Sequence, residues 1–226
     1  MNSYAEENYL KVIYELSVYE KKRIDTKSIA ERTATRPSSV TDMIKRLAEK
    51  DLLDYEKYHG VKLTLKGEKV AVGILRKHRL WEEFLSAYLE IKWDEVHDIA
   101  EELEHVNSEL LIEKLDKFLN YPRFDPHGDP IPDKRGRFPV SKSSKLSELQ
   151  PGDKGIVSGL VITDSSFLRF LDEQEIHIGS EIRVLKQVDF DQSTYVITDK
   201  KVNSHLSRKV TENILISRKH ADKFFP

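Results

Sequence analysis

A proline-rich segment limits the folds open to this chain, because it stops any helix that reaches it. Residues 121–139, YPRFDPHGDPIPDKRGRFP, hold five prolines and two glycines. A proline inside a helix removes a backbone hydrogen bond and clashes with the preceding turn, so the segment predicts an irregular connection. Apolar residues follow helical spacing before it and form short β-type runs after it. The chain is therefore expected to be mainly α with a small β domain.

The N-terminal pattern predicts a helix-turn-helix. Asp25 or Thr26 caps a short helix that ends near Arg32, and Pro37 suits the first turn of the next helix. The buried stripe of that next helix is Val40, Ile44 and Leu47. Two short helices joined by a tight turn have helix-turn-helix geometry.

A helix before this motif and a hairpin after it complete the first predicted domain. Residues 4–19 carry apolar side chains at helical spacing, which predicts the first helix. The positions expected to face outward from it are Glu6, Glu7, Lys11 and Glu15. Residues 54–64, DYEKYHGVKLT, predict a β-hairpin around His59 and Gly60. A hairpin in this place is interpreted as the wing of a winged helix.

Two long amphipathic patterns follow, over residues 66–91 and 94–119. The apolar stripe expected in the second is Val96, Ile99, Leu103, Val106 and Leu110. Helices this apolar along one stripe need a partner, so a homodimer is expected.

A small barrel-like domain is predicted after residue 151. Its evidence is the β-type runs GIVSGLVIT, SEIRVLKQV, STYVIT and NILIS, with one helical piece over residues 167–173. The expected domains are 1–65, 66–140 and 151–226, with residues 141–150 as a linker.

Charge is divided unevenly along the chain, although the formal net charge is only −2. Residues 1–80 hold 17 Lys and Arg against 12 Asp and Glu, whereas residues 81–120 hold 3 against 12. A basic module attracts phosphate backbones, and an acidic helical stretch attracts cations or solvates a helix.

The sequence contains no cysteine, which excludes thiolate metal sites. No apolar run approaches the roughly 20 residues of a membrane span, so the protein is expected to be cytoplasmic, with no membrane partner.

The segment HDIAEELEH carries a candidate metal site. At about 100° per residue, four of its side chains fall on one helical face, and they are His97, Glu101, Glu104 and His105. His78 and Glu82 on the preceding long helix are spaced i, i+4 and can converge on the same cation. Oxygen and imidazole donors fit Mn²⁺ and Fe²⁺ and admit Co²⁺, Ni²⁺ or Zn²⁺. An acidic helix that only faces water offers similar pairs, so both interpretations are open at this point.

Several further stretches resemble the DtxR/MntR family of metal-dependent transcriptional repressors over nearly all of the chain. These stretches are AEENYLKVIYEL, RPSSVTDMIKRLAEKDLLDYEKYHGVKLTLKGEKVA, RKHRLWEEFL, EVHDIAEELEHV, HGDPIP, LSELQPGDKGIV and FLDEQEIHIGSEIRVL. The resemblance implies an N-terminal winged helix-turn-helix, a helical dimerisation and metal domain, and a C-terminal SH3-like (FeoA-like) β-barrel. It also implies a Mn²⁺- or Fe²⁺-dependent repressor that binds a double-stranded DNA operator and controls metal homeostasis.

The resemblance assigns ligands to two sites. Glu101, Glu104 and His105, with Asn8, match a primary, activating site, and the ancillary site is matched by His78, Glu82 and His97. Glu101 stands where iron-type members have cysteine and manganese-type members glutamate. Asn8 departs from the methionine or aspartate of both types, and Lys11 stands where some members have a second acidic ligand.

Two aspartates are further candidates, and the remaining histidines are assigned no role. Asp125 sits where certain members place a cysteine ligand, although an aspartate is also common in a proline-rich turn. Asp164 lies where the third domain could lend an oxygen to the ancillary site. The histidines interpreted as surface or turn residues are His59, His127, His177, His205 and His220.

The start of the recognition helix and the wing supply the candidate DNA contacts. Small and polar residues at the helix tip reach base edges or phosphates, and lysines and arginines further along reach phosphates. The candidates are Arg36, Pro37, Ser38, Ser39, Thr41, Lys45, Arg46, Lys57 and Lys62. Ser38 as a helix cap and Arg46 as a solvated charge are the structural alternatives.

Two other functions compete with the metal-dependent repressor. One is a winged-helix regulator that no longer needs metal, of which the loss of an acidic ligand at Asn8 would be a symptom. The other is a metal-dependent hydrolase, in which Glu101 or Glu104 would act as general base. The sequence contains no HExxH signature, nucleophile elbow or phosphate-binding glycine loop, so a non-enzymatic function is expected.

Overall fold

The computed structural model describes residues 2–20, 23–56, 60–140, 142–199 and 202–218. The chain divides into two compact units, which are interleaved along the sequence. The first unit consists of Met1–His78, Glu102–Asn107 and Pro132–Arg137, and the second of Arg79–Glu101, Ser108–Ile131 and Phe138–Pro226. Helices dominate up to residue 118 and strands dominate from residue 144, which confirms the predicted fold class. Within the described ranges, no helix has the length and apolarity that crossing a membrane requires.

The first unit contains a helix-turn-helix and a hairpin, as predicted. Its elements are α1 (Tyr4–Glu20), α2 (Thr26–Arg32), α3 (Pro37–Glu49), β1 (Leu53–Glu56), β2 (Gly60–Leu63) and the start of α4 (Leu65–Leu89). The Asp25 side chain caps α2 by accepting a hydrogen bond from the Ser28 amide at 2.8 Å. Leu53 pairs with Leu63 in the antiparallel hairpin. The predicted hairpin turn, with His59, lies outside the described residues.

One apolar core holds the helices and the hairpin of this unit together. Leu10 and Ile13 of α1, Ile44 of α3 and Val61 of β2 are fully buried in it. Ile24 pairs with Val61 through two backbone hydrogen bonds of 2.9 and 2.8 Å, which adds a third extended segment beside the hairpin. The core therefore fixes the orientation of the recognition helix, α3, within the unit.

The helical pattern predicted over residues 94–119 is two helices in the structure, so the prediction of one long helix is wrong. α5 (Val96–Leu103) ends in a turn, and α6 (Glu109–Phe118) begins after Ser108, whose side chain accepts a hydrogen bond from the Leu111 amide. The predicted stripe breaks as well. Val96 is buried, whereas Ile99 on α5 is 36% exposed and Leu110 on α6 is 66% exposed. Because the helix breaks, α6 has a buried face of its own, formed by Ile112 and Leu115.

The second unit also contains the C-terminal sheet. Its strands are β3 (Ser144–Lys145), β4 (Lys154–Leu160), β5 (Glu181–Gln187), β6 (Thr194–Thr198), β7 (Asn203–Leu206) and β8 (Ile214–Ser217). They pair antiparallel in the order β3-β8-β4-β5-β6-β7. Two helices, α7 (Ser165–Glu173) and α8 (Arg208–Thr211), accompany the sheet, and neither β7 nor α8 was predicted.

The segment predicted as a linker takes part in the core of this sheet. Besides β3 it forms a 3-10 turn over Leu146–Glu148. Leu146 and Leu149 are fully buried beside Val157 and Ile216. Short polar stretches around two leucines look like a linker in sequence, but the leucines anchor the segment to the sheet.

Two glycines of α4 provide a matched test of the packing in the first unit. A Cβ at Gly67 would overlap the backbone carbonyl oxygen of Leu52, whereas a Cβ at Gly73 would meet nothing within 4 Å. We expect Gly67→Ala to destabilise the protein, because backbone atoms must move apart. Gly73→Ala is expected to stabilise it by about 0.5–1 kcal/mol, since alanine favours a helix over glycine. Urea unfolding followed by circular dichroism measures both, and equal stability of the two variants would contradict this packing.

Candidate metal centres

A buried polar cluster in the first unit joins α1 to the turn that follows α5. Glu104 and His105 form this turn, and they are 0% and 6% exposed. The Glu104 Oε2 atom lies 2.8 Å from Nδ1 of His78 on α4. The His105 Nδ1 atom lies 2.7 Å from Oε2 of Glu7 on α1, and the ring of Tyr4 stacks on the imidazole. The turn thus presents its two ligand-type side chains to α1 and α4.

The polar side chains of α1 were predicted to face outward, and for three of them this is wrong. Glu6, Glu7 and Lys11 are 3%, 6% and 4% exposed. Each is compensated by a partner of opposite or hydrogen-bonding character, as buried charges must be. Lys50 Nζ contacts Glu6 at 2.8 Å, His105 contacts Glu7, and Lys11 Nζ donates to Glu104 Oε2 at 2.6 Å. The polar face of α1 can therefore be buried as well as its apolar face, because each of these charged side chains has a partner.

The four residues expected on one helical face do not share it. α5 ends at Leu103, so Glu104 and His105 lie in the turn rather than on the helix. His97 and Glu101 remain on α5 in the second unit, where His97 Nε2 is 3.5 Å from Glu101 Oε1. His78, predicted as an ancillary ligand, contacts Glu104, which was predicted as a primary ligand. The assignment of these residues to a primary and an ancillary site stays a prediction.

A second buried cluster lies within the second unit and is formed by Glu82, Asp125 and His127. One donor atom from each residue lies within 4.8 Å of the others, and the three residues are 3%, 4% and 3% exposed. Glu82 comes from α4, and the other two come from the proline-rich segment. His127, interpreted as a surface or turn histidine with no assigned role, does lie in a turn, but its ring is buried beside Glu82, with Nδ1 3.7 Å from Oε2.

The orientation of the His127 ring suits a metal ligand. Its Nε2 atom is 2.7 Å from the Trp93 carbonyl oxygen, to which it can only donate. Nδ1 is then the nitrogen on the Glu82 side, and a histidine ligand commonly donates its other N–H to a carbonyl in this way. Burial lowers the pKa of His127, but hydrogen bonding to Glu82 and the charge of Asp125 outweigh it and raise the pKa to about 9.

The Asp125 carboxylate is held by its own loop through one oxygen only. Oδ1 accepts hydrogen bonds from the amides of His127 at 2.9 Å and Asp129 at 3.0 Å. Oδ2 is buried without a hydrogen-bond partner, and its ion pair with Arg79 Nε is long, at 3.7 Å. Burial and the neighbouring carboxylates of Asp129 and Glu82 raise the pKa of Asp125 well above its usual range. A buried oxygen in this state is what a divalent cation would satisfy.

The two clusters differ in how well they fit a divalent ion. Glu82, Asp125 and His127 offer two carboxylates and an imidazole, a hard donor set that suits Mn²⁺ or Fe²⁺. His97 Nδ1 lies 3.3 Å from the other oxygen of Glu82 and can orient it. In the first unit, Asn8 Oδ1 and Glu104 Oε1 are buried without hydrogen-bond partners, but the Lys11 ammonium already holds Glu104 Oε2. The set in the second unit fits an ion, and the set in the first unit does not fit one while Lys11 is bound there.

Asp164 has a structural role in the second unit. It is the N-cap of α7, where Oδ1 accepts hydrogen bonds from the Phe167 amide at 3.1 Å and the Ser166 hydroxyl at 2.5 Å. The bond from Ser166 lowers the pKa of Asp164. Its predicted role as a metal ligand stays a prediction.

Most of the predicted DNA-contacting residues that the structure describes are accessible to solvent, and their role stays a prediction. Arg36, Pro37, Ser38, Ser39, Lys45, Arg46 and Lys62 are exposed, and Thr41 is half-buried. The cap position of α3 is Arg36 and it makes no side-chain cap bond, so Ser38 is not a capping residue. Thr41 donates its hydroxyl to the Pro37 carbonyl oxygen at 3.0 Å. Lys57 lies outside the described residues.

Glu7 and His127 belong to these two buried clusters, although the sequence did not suggest either of them as a candidate. Glu7 follows the outward spacing of α1, and its partner His105 is 98 residues away, so no local pattern reveals the pair. A signal for His127 was present in DPHGDP, where an aspartate and a histidine two residues apart flank a proline in a tight turn.

Comparison with known proteins assigns a description to each part of the chain. Residues 2–61 match the iron dependent repressor N-terminal DNA binding domain, and residues 64–133 match its metal binding and dimerisation domain. Residues 144–218 match the FeoA domain, in agreement with the SH3-like domain that was expected.

Curated relatives and solved structures agree with these descriptions. The HTH-type transcriptional regulator MntR of Oceanobacillus iheyensis is 36% identical over 115 residues, which cover 51% of this chain and 77% of that regulator. The iron-dependent repressor IdeR of Mycobacterium leprae is 36% identical over 126 residues, or 56% of this chain and 54% of that repressor. A manganese-dependent transcriptional repressor solved with manganese superimposes with a TM-score of 0.84 at 34% identity, covering 95% of this chain and all of that one. The crystal structure of ScaR with bound Zn²⁺ superimposes with a TM-score of 0.74 at 33% identity, covering 95% of this chain and 99% of that one.

The matches extend from the helix-turn-helix through the helical domain to the C-terminal sheet, and they include relatives covered over most of their length. The chain belongs to the DtxR/MntR family of metal-dependent transcriptional repressors.

Proposed function

We propose that this protein is a Mn²⁺- or Fe²⁺-dependent repressor that binds a double-stranded DNA operator as a homodimer and controls metal homeostasis. The observation that carries the proposal is the buried set of Glu82, Asp125 and His127 in a chain whose N-terminal unit exposes a recognition helix. A relative named as an iron-dependent repressor and a solved manganese-dependent repressor support the choice of ion. Regulation of transcription implies a cytoplasmic location, as expected from the sequence.

The donor chemistry limits which ion this set would hold. Two carboxylates and an imidazole are hard to borderline ligands, and the sequence has no cysteine that would favour a softer ion. Affinity alone would also admit Co²⁺, Ni²⁺ or Zn²⁺. A bound ion would supply positive charge that the two carboxylates lack when His127 is neutral. Glu82 would then tie α4 to the loop that carries Asp125 and His127.

An exposed apolar surface in the second unit supports a homodimer. Tyr88, Phe118 and Tyr121 are 49%, 57% and 61% exposed, and Leu110 and Leu111 on α6 are exposed as well. The rings of Phe84, Tyr88 and Phe118 pack against one another, so the exposed rings of Tyr88 and Phe118 are adjacent. Contiguous apolar surface of this kind commonly marks a protein interface.

A homodimer explains how metal would control DNA binding. Two recognition helices must be about one helical turn of DNA, or a multiple of it, apart. A dimer that rarely adopts this spacing binds DNA more weakly in proportion to the population of the competent state. Glu82, Asp125 and His127 lie in the domain described as dimerising in the family, and α4 continues into it from the winged helix. We propose that an ion holding α4 to the loop of Asp125 and His127 raises the fraction of dimers whose recognition helices have the spacing that DNA requires.

A metal-independent winged-helix regulator is the second candidate. It is favoured by Lys11, which already satisfies Glu104 in the set expected to bind the activating ion. The hydrolase is not supported, because the relatives are named as regulators and repressors. An operator gel shift with Mn²⁺ and with EDTA separates the two regulators, since binding that ignores EDTA would favour the second.

Removing a ligand of the second cluster is expected to uncouple metal from DNA binding. Glu82→Gln and His127→Ala should each lower Mn²⁺ affinity by more than about 10-fold, the loss that removing even a supporting partner of a metal ligand causes. Operator binding at limiting Mn²⁺ should fall with it. Titration of DNA binding with Mn²⁺ by fluorescence anisotropy measures the effect.

The matched control for this prediction is His205→Ala. His205 stacks on Tyr195 in the C-terminal sheet. Its substitution removes one imidazole from the protein but leaves the residues of both clusters unchanged. We expect its Mn²⁺ response to equal that of the unaltered protein. An unchanged response in Glu82→Gln and His127→Ala would reject the metal site.

The exposed cations of α3 are expected to contact phosphates. Lys45→Ala and Arg46→Ala should each reduce the slope of log K against log salt by about 1, because each phosphate contact releases a condensed counterion. Lys145→Ala removes an exposed cation from β3 and should leave the slope unchanged. A slope that is flat, or equally reduced in Lys145→Ala, would contradict this DNA interface.

A further inference from the structure

We infer that the Lys11 ammonium is the permanent cation of the cluster in the first unit, so that Asn8, Glu104 and His105 bind no metal ion in this protein. The inference deepens the proposed function and rests on it, because it assigns the regulatory ion to Glu82, Asp125 and His127 alone. Lys11, on α1, stands where some members of the family have an acidic ligand.

The contact between Lys11 and Glu104 is short and shielded from solvent. The Nζ to Oε2 distance is 2.6 Å, and the two side chains are 5% and 0% exposed. A carboxylate at this depth requires a cation or several hydrogen-bond donors, since water is not there to solvate it. Lys11 provides that cation from the same unit of the chain.

The other donors of the cluster are turned toward carboxylates already in place. His78 Nδ1 shares Glu104 Oε2 with the ammonium, at 2.8 Å. His105 Nδ1 is bound to Glu7 at 2.7 Å, and its Nε2 lies 3.8 Å from Glu104 Oε1. The turn after α5 is therefore connected to α1 by two direct side-chain contacts, Lys11 to Glu104 and Glu7 to His105. Neither contact needs an ion to bridge it.

Charge also opposes a divalent ion at this place. An ion bound to Glu104 would lie next to the buried ammonium, and repulsion between like charges is screened little in the interior. With Asn8 neutral, α1 contributes one carboxylate, Glu7, and one ammonium to the cluster.

Replacing the ammonium by a carboxylate should create the missing site. Asn8 Oδ1 and Glu104 Oε1 are buried oxygens without hydrogen-bond partners, so they are available once Lys11 no longer holds the cluster. Lys11→Glu would add a third oxygen donor one helical turn from Asn8, at spacing i, i+3. The cluster would then offer carboxylates, an amide oxygen and imidazole to one ion.

The experiment counts Mn²⁺ bound per chain in the full-length protein, by equilibrium dialysis with elemental analysis and by electron paramagnetic resonance of free Mn²⁺. We expect one ion in the unaltered protein and two in Lys11→Glu. The control is Lys50→Glu, which reverses the charge of another lysine paired with an α1 glutamate, Glu6, but has no imidazole in the pair. It should keep the count at one.

Two variants that keep Lys11 test the inference even if Lys11→Glu fails to fold. Glu104→Gln, with folding checked by circular dichroism, should leave the count at one, whereas Glu82→Gln should reduce it to zero. Two ions in the unaltered protein, or loss of an ion in Glu104→Gln, would overturn the inference. No bound ion in the unaltered protein would instead reject the proposed function, and a gain of one ion in Lys11→Glu would then still support the role of Lys11.

Discussion

Buried carboxylates that must be matched by positive charge are the constraint on which both candidate centres depend. Glu104 is fully buried and is matched by Lys11 and His78, and Glu82 is buried beside His127. An uncompensated carboxylate in the interior is too costly to persist. Each cluster therefore either carries its own cation or requires one from solution.

The two clusters solve this problem in different ways. In the first unit, a lysine fixed to α1 provides the charge and leaves no need for an ion. In the second unit, the buried Glu82 and Asp125 carboxylates face one imidazole, that of His127, and Asp125 Oδ2 has no hydrogen-bond partner. A divalent cation can take the place of a proton, because metal binding and protonation compete for the same imidazole and carboxylate atoms. Under the proposed function, the second cluster is therefore the one that would take up an ion from solution.

Family membership does not by itself assign the residues of a metal site. The match to the metal binding and dimerisation domain covers residues 64–133, which include Glu104 in one unit and Glu82 in the other. Both lie in stretches that resemble the family. The difference between them comes from Lys11, outside the matched metal domain, which reaches Glu104 from α1. A ligand set must therefore be judged with every charged side chain that contacts it.

The sequence by itself determined the fold class and the helix-turn-helix, because helical spacing and proline breaks are local properties. Tertiary structure alone decided that α5 ends at Leu103, that Glu7 and Lys11 are buried, and that His127 joins Glu82. Those features depend on pairs as far as 98 positions apart, such as Glu7 and His105. Periodicity reports which face of a helix is polar, but only packing decides whether that face meets water or an opposite charge.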